Sequence, residues 1–569
     1  MRLIFYDFEV FKYDWMVVLI DYETRQEKII VNDRDELVRV YLKNKDSIWI
    51  GYNSRMYDQW IMKAILLGMN PSKVNDDLIL FNIAGYRAVP NANQIPFNNF
   101  DISTGFHSLK QLEAFMGNDV RESSVPFTLQ RKLTDDEIQE TIKYCRHDVQ
   151  QTIEVFEYRK SDFDAQLGLI QAFNLDMSYF NKTKAQLSAH ILGASKVVRD
   201  DEFDFTFVDT LKLTKYKYVL DWYADKSNRN YSKKLKTDVY GVDHEFAWGG
   251  LHGARKKYMT DGVLVSSDVS SFYPALMIEY NFLSRNVAEP SKYRQIRDDR
   301  LVLKANKDQR QLAYKLVING VFGCGKDAYN PLYDPLMSNN VCINGQLLLL
   351  DLIEKIELTF GEDCELIQSN TDGVIFKLKD DSLIDKYISV CKEWEIRTRM
   401  ELEHDFIERI IQRDVNSYIV IGANGKVKSK GPVVKKLSPI DNDLPIINQA
   451  IKEYYINGIP VEETINNCNE LIKFQKIYKV TSAYKCAVHN GEELPNKVYR
   501  VFASKDQSNS AIYKLKIGKD TPDLFAGSPK HVFINNNKII GEPVPDELDR
   551  QWYIDEAKKR IKGFTGEIL

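Results

Sequence analysis

The spacing of apolar and polar positions divides the chain into strands and helices. Leu3–Val10 reads as a strand in which Asp7 and Glu9, two positions apart, lie on one face. Ser47–Tyr52 is also strand-like and is followed by Asn53, Tyr57 and Asp58. A helix is predicted over Asp135–Phe156, where Tyr144 and Asp148 share a face, and helical patterning continues over Phe163–Val198. Val263–Val265 is an apolar run typical of a buried strand, with Asp268 close after it and Tyr273-Pro274 opening a helix. Lys315, Asn319 and Phe322 fall at i, i+4 and i+7 and line one face of a further helix. Cys364–Ser369 and Val374–Leu378 read as two strands joined by Asn370-Thr371-Asp372-Gly373, whose Asp-Gly pair is a hairpin signal. Val415–Val420 and Lys426–Val434 extend the strand pattern, and Asp546–Phe564 closes the chain as an amphipathic helix.

Several of these positions carry acids where stability gains little from them. Asp7 and Glu9 on one strand face repel each other unless a cation lies between, which favours a metal site over a solvent-facing edge. Asp268 at the end of a buried strand either holds a metal or caps the next helix. Asp372 is either a turn residue or a second ligand, since Mg2+ is usually held by one or two carboxylates plus substrate phosphates. Alone, Lys315 reads as a solvated helix charge and the Tyr144/Asp148 pair as plain helix surface.

In this order, the segments around Asp268, Lys315 and Asp372 resemble motifs A, B and C of family B DNA polymerases. Motif A, D-x-x-S-L-Y-P, corresponds to Asp268-Val-Ser-Ser271-Phe-Tyr273-Pro274. Motif B, K-x-x-x-N-S-x-Y-G, corresponds to Lys315-Leu-Val-Ile-Asn319-Gly-Val-Phe322-Gly323, and motif C, D-T-D-S, to Asn370-Thr371-Asp372-Gly373 with its first aspartate lost. The amino-terminal set resembles the DEDD proofreading exonucleases: D-x-E at Asp7 and Glu9, N-x-x-x-[FY]-D at Asn53, Tyr57 and Asp58, and Y-x-x-x-D at Tyr144 and Asp148. Ala247-Trp248-Gly249-Gly250 resembles the family's Y-x-G-G template segment without its tyrosine. Tyr418 resembles the tyrosine of the primer-holding K-x-Y motif, whose lysine position is Asn416 here.

The resemblance implies an α/β and α+β multidomain protein: an RNase H-like exonuclease domain (1–160), a helical connecting region (161–245), palm (246–284), fingers (285–330), palm again (331–438) and thumb (439–569). It implies template-directed addition of dNTPs to a primer 3′-hydroxyl, with 3′–5′ proofreading. Asp268 and Asp372 are the expected ligands at one site, and Asp7, Glu9, Asp58 and Asp148 at the other, for two Mg2+ ions each, with Mn2+ as a substitute. Tyr144 would orient the attacking water. Lys315, Asn319, Tyr273 and Phe322 would bind the nucleotide, with Tyr273 as a steric gate against ribose. Trp248, Gly249, Gly250, Tyr418, Asn53 and Tyr57 would contact DNA. Expected partners are primer-template DNA, dNTPs, single-stranded DNA at the exonuclease site and other replisome proteins.

Lys315 stands 47 positions after Asp268, and Asn370 stands 47 after Gly323. These intervals leave little room for the inserted subdomains of protein-primed relatives, which points to a phage- or plasmid-type enzyme extending nucleic-acid primers. A working exonuclease joined to a disabled polymerase, and a single-strand binding module on aromatics and basic grooves, are the rival readings.

Composition adjusts this picture modestly. A chain of 569 residues is too long for one core. Its 44% hydrophobic and 28% charged residues are those of an ordinary globular protein, and its net charge of −4 argues only mildly against a nucleic-acid partner. Lys226–Lys236 and Lys426–Lys436 are basic stretches that alone read as solvated faces and that beside a polymerase site read as phosphate-backbone contacts. Seven scattered cysteines show no zinc-type pairing and fit a reducing cytoplasm, which for the phage-type enzyme the resemblance implies would be that of a bacterial host. The expectation is a monomer with no signal peptide and no run of roughly 18 apolar residues that could span a membrane.

Overall fold

β1 (Leu3–Val10) pairs antiparallel with β2 (Trp15–Asp21), which pairs with β3 (Glu27–Val31). On its other side β1 runs parallel to β4 (Ile48–Gly51), and β4 to β5 (Asn98–Asp101), giving the order β3-β2-β1-β4-β5. Alternation decides what each face of β1 meets. Ile4, Tyr6, Phe8 and Val10 pack with helices α1 (Arg34–Lys43) and α2 (Asp58–Leu66). Leu3 and Phe5 face the other way, toward Cys145, Val149 and Ile153. That second layer holds α3 (Leu109–Met116) and the long α4 (Asp135–Ala172), which starts at a Thr134/Glu137 capping box and is kinked at Arg159. Asp7 and Glu9 continue the Leu3/Phe5 face and so lie beneath α4.

This computed structural model describes residues 1–103 and 105–569, and the chain divides into two units. The first comprises Met1–Lys182, Leu437–Ile446 and Ile465–Tyr553; the second comprises Thr183–Lys436, Ile447–Thr464 and Ile554–Leu569. The segment expected as one terminal body, 439–569, is therefore shared between them. Most of it joins the first unit as a three-stranded sheet (Lys476–Lys479, Val498–Ala503, Val532–Ile534) and a four-stranded one.

Arg500 shows why. Its side chain is fully buried and donates to the carbonyls of Ala114, Asn118, Asn535 and Asn537 and to Gln475 Oε1 at 2.6–3.4 Å. It thereby satisfies the carboxyl-terminal end of α3 from the late strands, although burial lowers its pKa to about 10. Arg500→Met leaves several buried acceptors unpaired, each costing about 1–3 kcal/mol. The expected result is a fall of roughly 3 kcal/mol or more in the stability of the first unit, read by denaturant unfolding; an unchanged midpoint would show that the late strands hold without it.

The second unit carries a nine-stranded sheet. In chain order its strands are β6 (Leu235–Val239), β7 (Val242–Phe246), β8 (His252–Ala254), β9 (Tyr258–Val269), β10 (Cys364–Ser369), β11 (Gly373–Leu378), β12 (Leu402–Asp414), β13 (Ser417–Gly422) and β14 (Val427–Lys430). Their order in the sheet is β14-β13-β12-β9-β11-β10-β8-β7-β6. Helix α5 (Phe272–Glu279) follows β9, and an antiparallel pair follows it, α6 (Pro290–Ala305) and α7 (Gln311–Cys324).

Helix α8 (Pro335–Phe360) bears on the membrane expectation. Pro335–Asp363 is long and apolar enough to cross a membrane by length and composition, although Asn340, Asn344, Asp351 and Glu354 interrupt any continuous apolar run. Of its most apolar 18-residue stretch, 94% is buried inside the protein. The polar residues have a local task. Asn340, Asn344, Asp351 and Glu354 accept hydrogen bonds from the backbone N–H groups of Thr206, Val208, Lys212, Thr214 and Tyr216. An extended strap is thus hydrogen-bonded along a helix. The helical patterning expected through Val198 ends at Ile191, and the strap and strands β6 and β7 follow it.

Candidate active sites

The first carboxylate cluster forms where β1, α2 and α4 meet. Asp58, the first residue of α2, accepts from Phe8 N at 3.0 Å, which ties it to the strand between Asp7 and Glu9. Asp148 reaches the cluster from α4, and Cys145 Sγ contacts the Asp7 carbonyl at 3.3 Å. Burial raises the pKa of Asp7, and the charges of Asp58, Glu9 and Asp148 raise it further. Burial likewise raises Glu9, followed by Asp148 and Asp58. Asp58 is pushed up to about 7, chiefly by burial and against the pull of its Phe8 hydrogen bond. Asp148 is raised to about 6 by burial, with Lys110 opposing. Buried, mutually repelling carboxylates are a donor set that fits divalent cations.

Tyr144 lies half-buried over this cluster, its hydroxyl pKa raised by burial and by Asp148. Three neighbours carry no signal in the sequence spacing: Lys110 and Glu113 on α3, and His147 on α4. Lys110 Nζ binds Asp148 at 2.5 Å and Glu113 at 3.0 Å and lies 4.7 Å from the centre of the Tyr144 ring. An i, i+3 Lys/Glu pair reads as ordinary helix surface until the sheet brings α3 against α4. Asn53 is exposed in a left-handed conformation, and Tyr57 donates to Asn75 Oδ1 at 2.7 Å.

The raised values set the sign of a pH effect. A carboxyl that holds its proton more tightly folded than unfolded favours the folded state while protonated, and that contribution is lost as pH climbs through the folded pKa. Without divalent metal, stability is expected to fall from about pH 4, the unfolded carboxylate range, through the values near 6 and 7 of Asp148 and Asp58. Millimolar Mg2+ should restore it at the upper end. Thermal unfolding at several pH values with EDTA or Mg2+ measures this, and equal Mg2+ stabilisation at low and high pH would contradict it.

The second cluster lies on the nine-stranded sheet. Asp268 sits within β9 and pairs with Gly373 of β11, while Ser271 occupies the N-cap position of α5, so Asp268 is not the helix cap. A Cβ added at Gly373 would fall 1.9 Å from Asp268 Oδ1, so glycine is required for the carboxylate to lie across the turn as it does. Asn370 Oδ1 accepts from Asp372 N at 3.1 Å and Gly373 N at 2.7 Å. This is an Asx turn, and it aims the exposed Asp372. Asp268 is raised to about 6 by burial and then by Asp372.

Around this pair the motifs converge. Tyr273 and Phe322 have ring centres 4.3 Å apart, which joins the Lys315/Asn319 face of α7 to the segment after Asp268. Lys315 and Asn319 are exposed. Among the α6 cations Arg300 is the buried one, donating to Ser271 Oγ at 3.2 Å. The carbonyls of Ala247 and Gly249 accept from Gln346, and that of Trp248 accepts from Lys326. Gly250 lies so close to the turn that a Cβ would come 2.4 Å from Thr371 Oγ1. Tyr418 lines a cavity of about 410 Å3 with Asp268, Asn370, Asp405, Lys426 and Lys428. Its positive charge therefore comes from Lys426, just before β14, and from Lys428 on β14, which binds Asp405 at 2.6 Å, while Asn416 sits in the β12–β13 turn.

No protein-family model matches the chain. Over 73 residues, 13% of its length, it is 36% identical to the uncharacterized mitochondrial protein ymf34 of Marchantia polymorpha, of which it covers 89%. Its fold is similar to that of the family B DNA polymerase from the hyperthermophilic archaeon Pyrobaculum calidifontis, with a TM-score of 0.45 and 14% sequence identity over 100% of this chain and 78% of that one.

Proposed function

The chain belongs to the family of the uncharacterized mitochondrial protein ymf34, and for this member we propose a template-directed DNA polymerase with a 3′–5′ proofreading exonuclease, replicating phage or plasmid DNA in a bacterial cytoplasm from nucleic-acid primers. One observation carries the reading. Asp268 and the Asp372 turn meet beside the helix face of Lys315, Asn319 and Phe322, while a second, four-carboxylate cluster lies in a different unit.

At each cluster bound Mg2+, or Mn2+, would supply charge neutralisation and activation of the attacking oxygen. Asp268 and Asp372 would hold the ions at the addition site. Lys315 and Arg300 would bind the triphosphate, and Asn319 would support the nascent base pair. Gly249 and Gly250, with Trp248 behind them, would follow the template strand, their segment held from inside by its carbonyls. Tyr418 would contact the primer terminus, with Lys426 and Lys428 providing the charge that Asn416 lacks. At the other site Asp7, Glu9, Asp58 and Asp148 would hold the ions, Tyr144 would orient water, and Asn53 and Tyr57 would grip the frayed single strand.

Primer extension on a defined template with Mg2+ tests the whole reading. Extension with dNTPs and 3′ shortening without them are expected. Shortening alone would favour the disabled-polymerase rival, and neither activity would favour a binding module.

Tyr273 provides a sharper test. Packed at a tilt against Phe322, with ring centres 4.3 Å apart, its ring would fill the volume a ribose 2′-hydroxyl needs. Tyr273→Ala is expected to raise rNTP incorporation relative to dNTP by about a hundredfold, the discrimination that a steric term of roughly 3 kcal/mol confers. An unchanged ratio in single-nucleotide kinetics would make Tyr273 a packing residue only.

A further inference from the structure

Glu113 is wholly buried, yet its Oε2 has no hydrogen-bond partner. The atom facing it at 3.5 Å is His147 Nε2, which is buried and equally without a hydrogen bond. Glu113 Oε1 is already bound by Lys110, which also takes Asp148 Oδ1. Glu113 thus gives one oxygen to the lysine and keeps the other free, while Asp148 gives one to the lysine and also takes the Tyr144 hydroxyl.

One ligand atom each from Glu113, His147 and Asp148 lies within 4.8 Å of the others. In a tetrahedral zinc site neighbouring ligand atoms stand roughly 3.3 Å apart, so small side-chain rotations close the set. The charge allows it. Lys110 and Arg500 are the cations that act on these groups, against Glu113 and Asp148 with Asp7, Glu9 and Asp58 beyond. An imidazole with two carboxylate oxygens suits a borderline ion such as Zn2+ better than Mg2+, which prefers an all-oxygen shell.

We propose that Glu113 Oε2, His147 Nε2 and the second oxygen of Asp148 form a further divalent-cation site of the Zn2+ class. It adjoins the Asp7/Glu9/Asp58 cluster and shares Asp148 with it. An ion held here turns Asp148 toward α3 and withdraws it from that cluster, so occupancy slows any chemistry the cluster performs.

The test is Zn2+ binding to the full chain in millimolar Mg2+, by equilibrium dialysis with metal analysis and by X-ray absorption at the zinc edge. The parent is expected to retain one more Zn2+ per chain than His147→Gln, with one imidazole nitrogen in the shell, and the variant's affinity should drop by about tenfold or more. His147 is a partly exposed helix residue, so this variant, checked by thermal unfolding, keeps the test valid if Glu113→Gln does not fold. Equal Zn2+ retention by parent and His147→Gln, or a shell without imidazole, overturns the site. No Zn2+ uptake at all overturns it too and leaves Glu113 and His147 as a plain ion pair. The measurement needs no enzymatic activity, so it fails or succeeds independently of the polymerase reading.

Discussion

Asp372→Asn is expected to abolish nucleotide addition, by on the order of a thousandfold or more, while Asn370→Asp retains it. The two residues stand two apart in one turn but have different tasks. Asn370 works through Oδ1, which accepts from the backbone N–H groups of Asp372 and Gly373. An aspartate oxygen accepts those bonds equally well, so the turn survives that change. Asp372 works through its charge, which is felt at Asp268. An amide dipole cannot replace that charge at a divalent ion, and losing several kcal/mol of charge stabilisation corresponds to three or more powers of ten in rate. Single-turnover dNTP incorporation by folded variants is the measurement. A nearly normal Asp372→Asn enzyme would remove the addition site from this turn. An Asn370→Asp variant that gained an activity the parent lacks would instead favour a polymerase disabled by its asparagine.

The double change Asp7→Ala, Glu9→Ala is expected to remove degradation of single-stranded 3′ ends, again by about a thousandfold or more, and to leave primer extension within a few-fold of the parent. The acids share one face of β1 in the first unit, whereas Asp268 and Asp372 belong to the second. Stability separates loss of ligands from loss of fold. Like charges held together under α4 repel, so in EDTA at pH 8 the double variant should melt no lower than the parent, and its gain from Mg2+ should shrink. If extension collapsed in parallel with degradation in a variant that melts normally, the two clusters would not be separate sites.

Much of both sites was legible in the sequence because it depends on short spacings. Asp7/Glu9 share a face by strand period, Tyr144/Asp148 and Lys315/Asn319/Phe322 by helix period, and Asn370–Gly373 turns because of its residue types. These are local facts, and the strands and helices that carry them are present at those positions. The turn itself is held locally, by the hydrogen bonds that Asn370 Oδ1 accepts from Asp372 N and Gly373 N.

What only the tertiary structure decided involves residues distant in sequence, whose meeting no spacing encodes. Lys110 and Glu113 become part of a carboxylate site because the sheet packs α3 against α4. Arg300 is distinguished from the other α6 cations by being buried beside Ser271. Lys428 reaches the Asp268 cavity because β14 is the outer neighbour of β13. What the polar residues within Pro335–Asp363 do was decided by the tertiary structure, since they bond to a strap more than a hundred positions earlier in the chain. Arg500 reads as a surface charge until the late strands close on α3, where a guanidinium, with five donors in a fixed fork, is the group that can satisfy so many carbonyls at once.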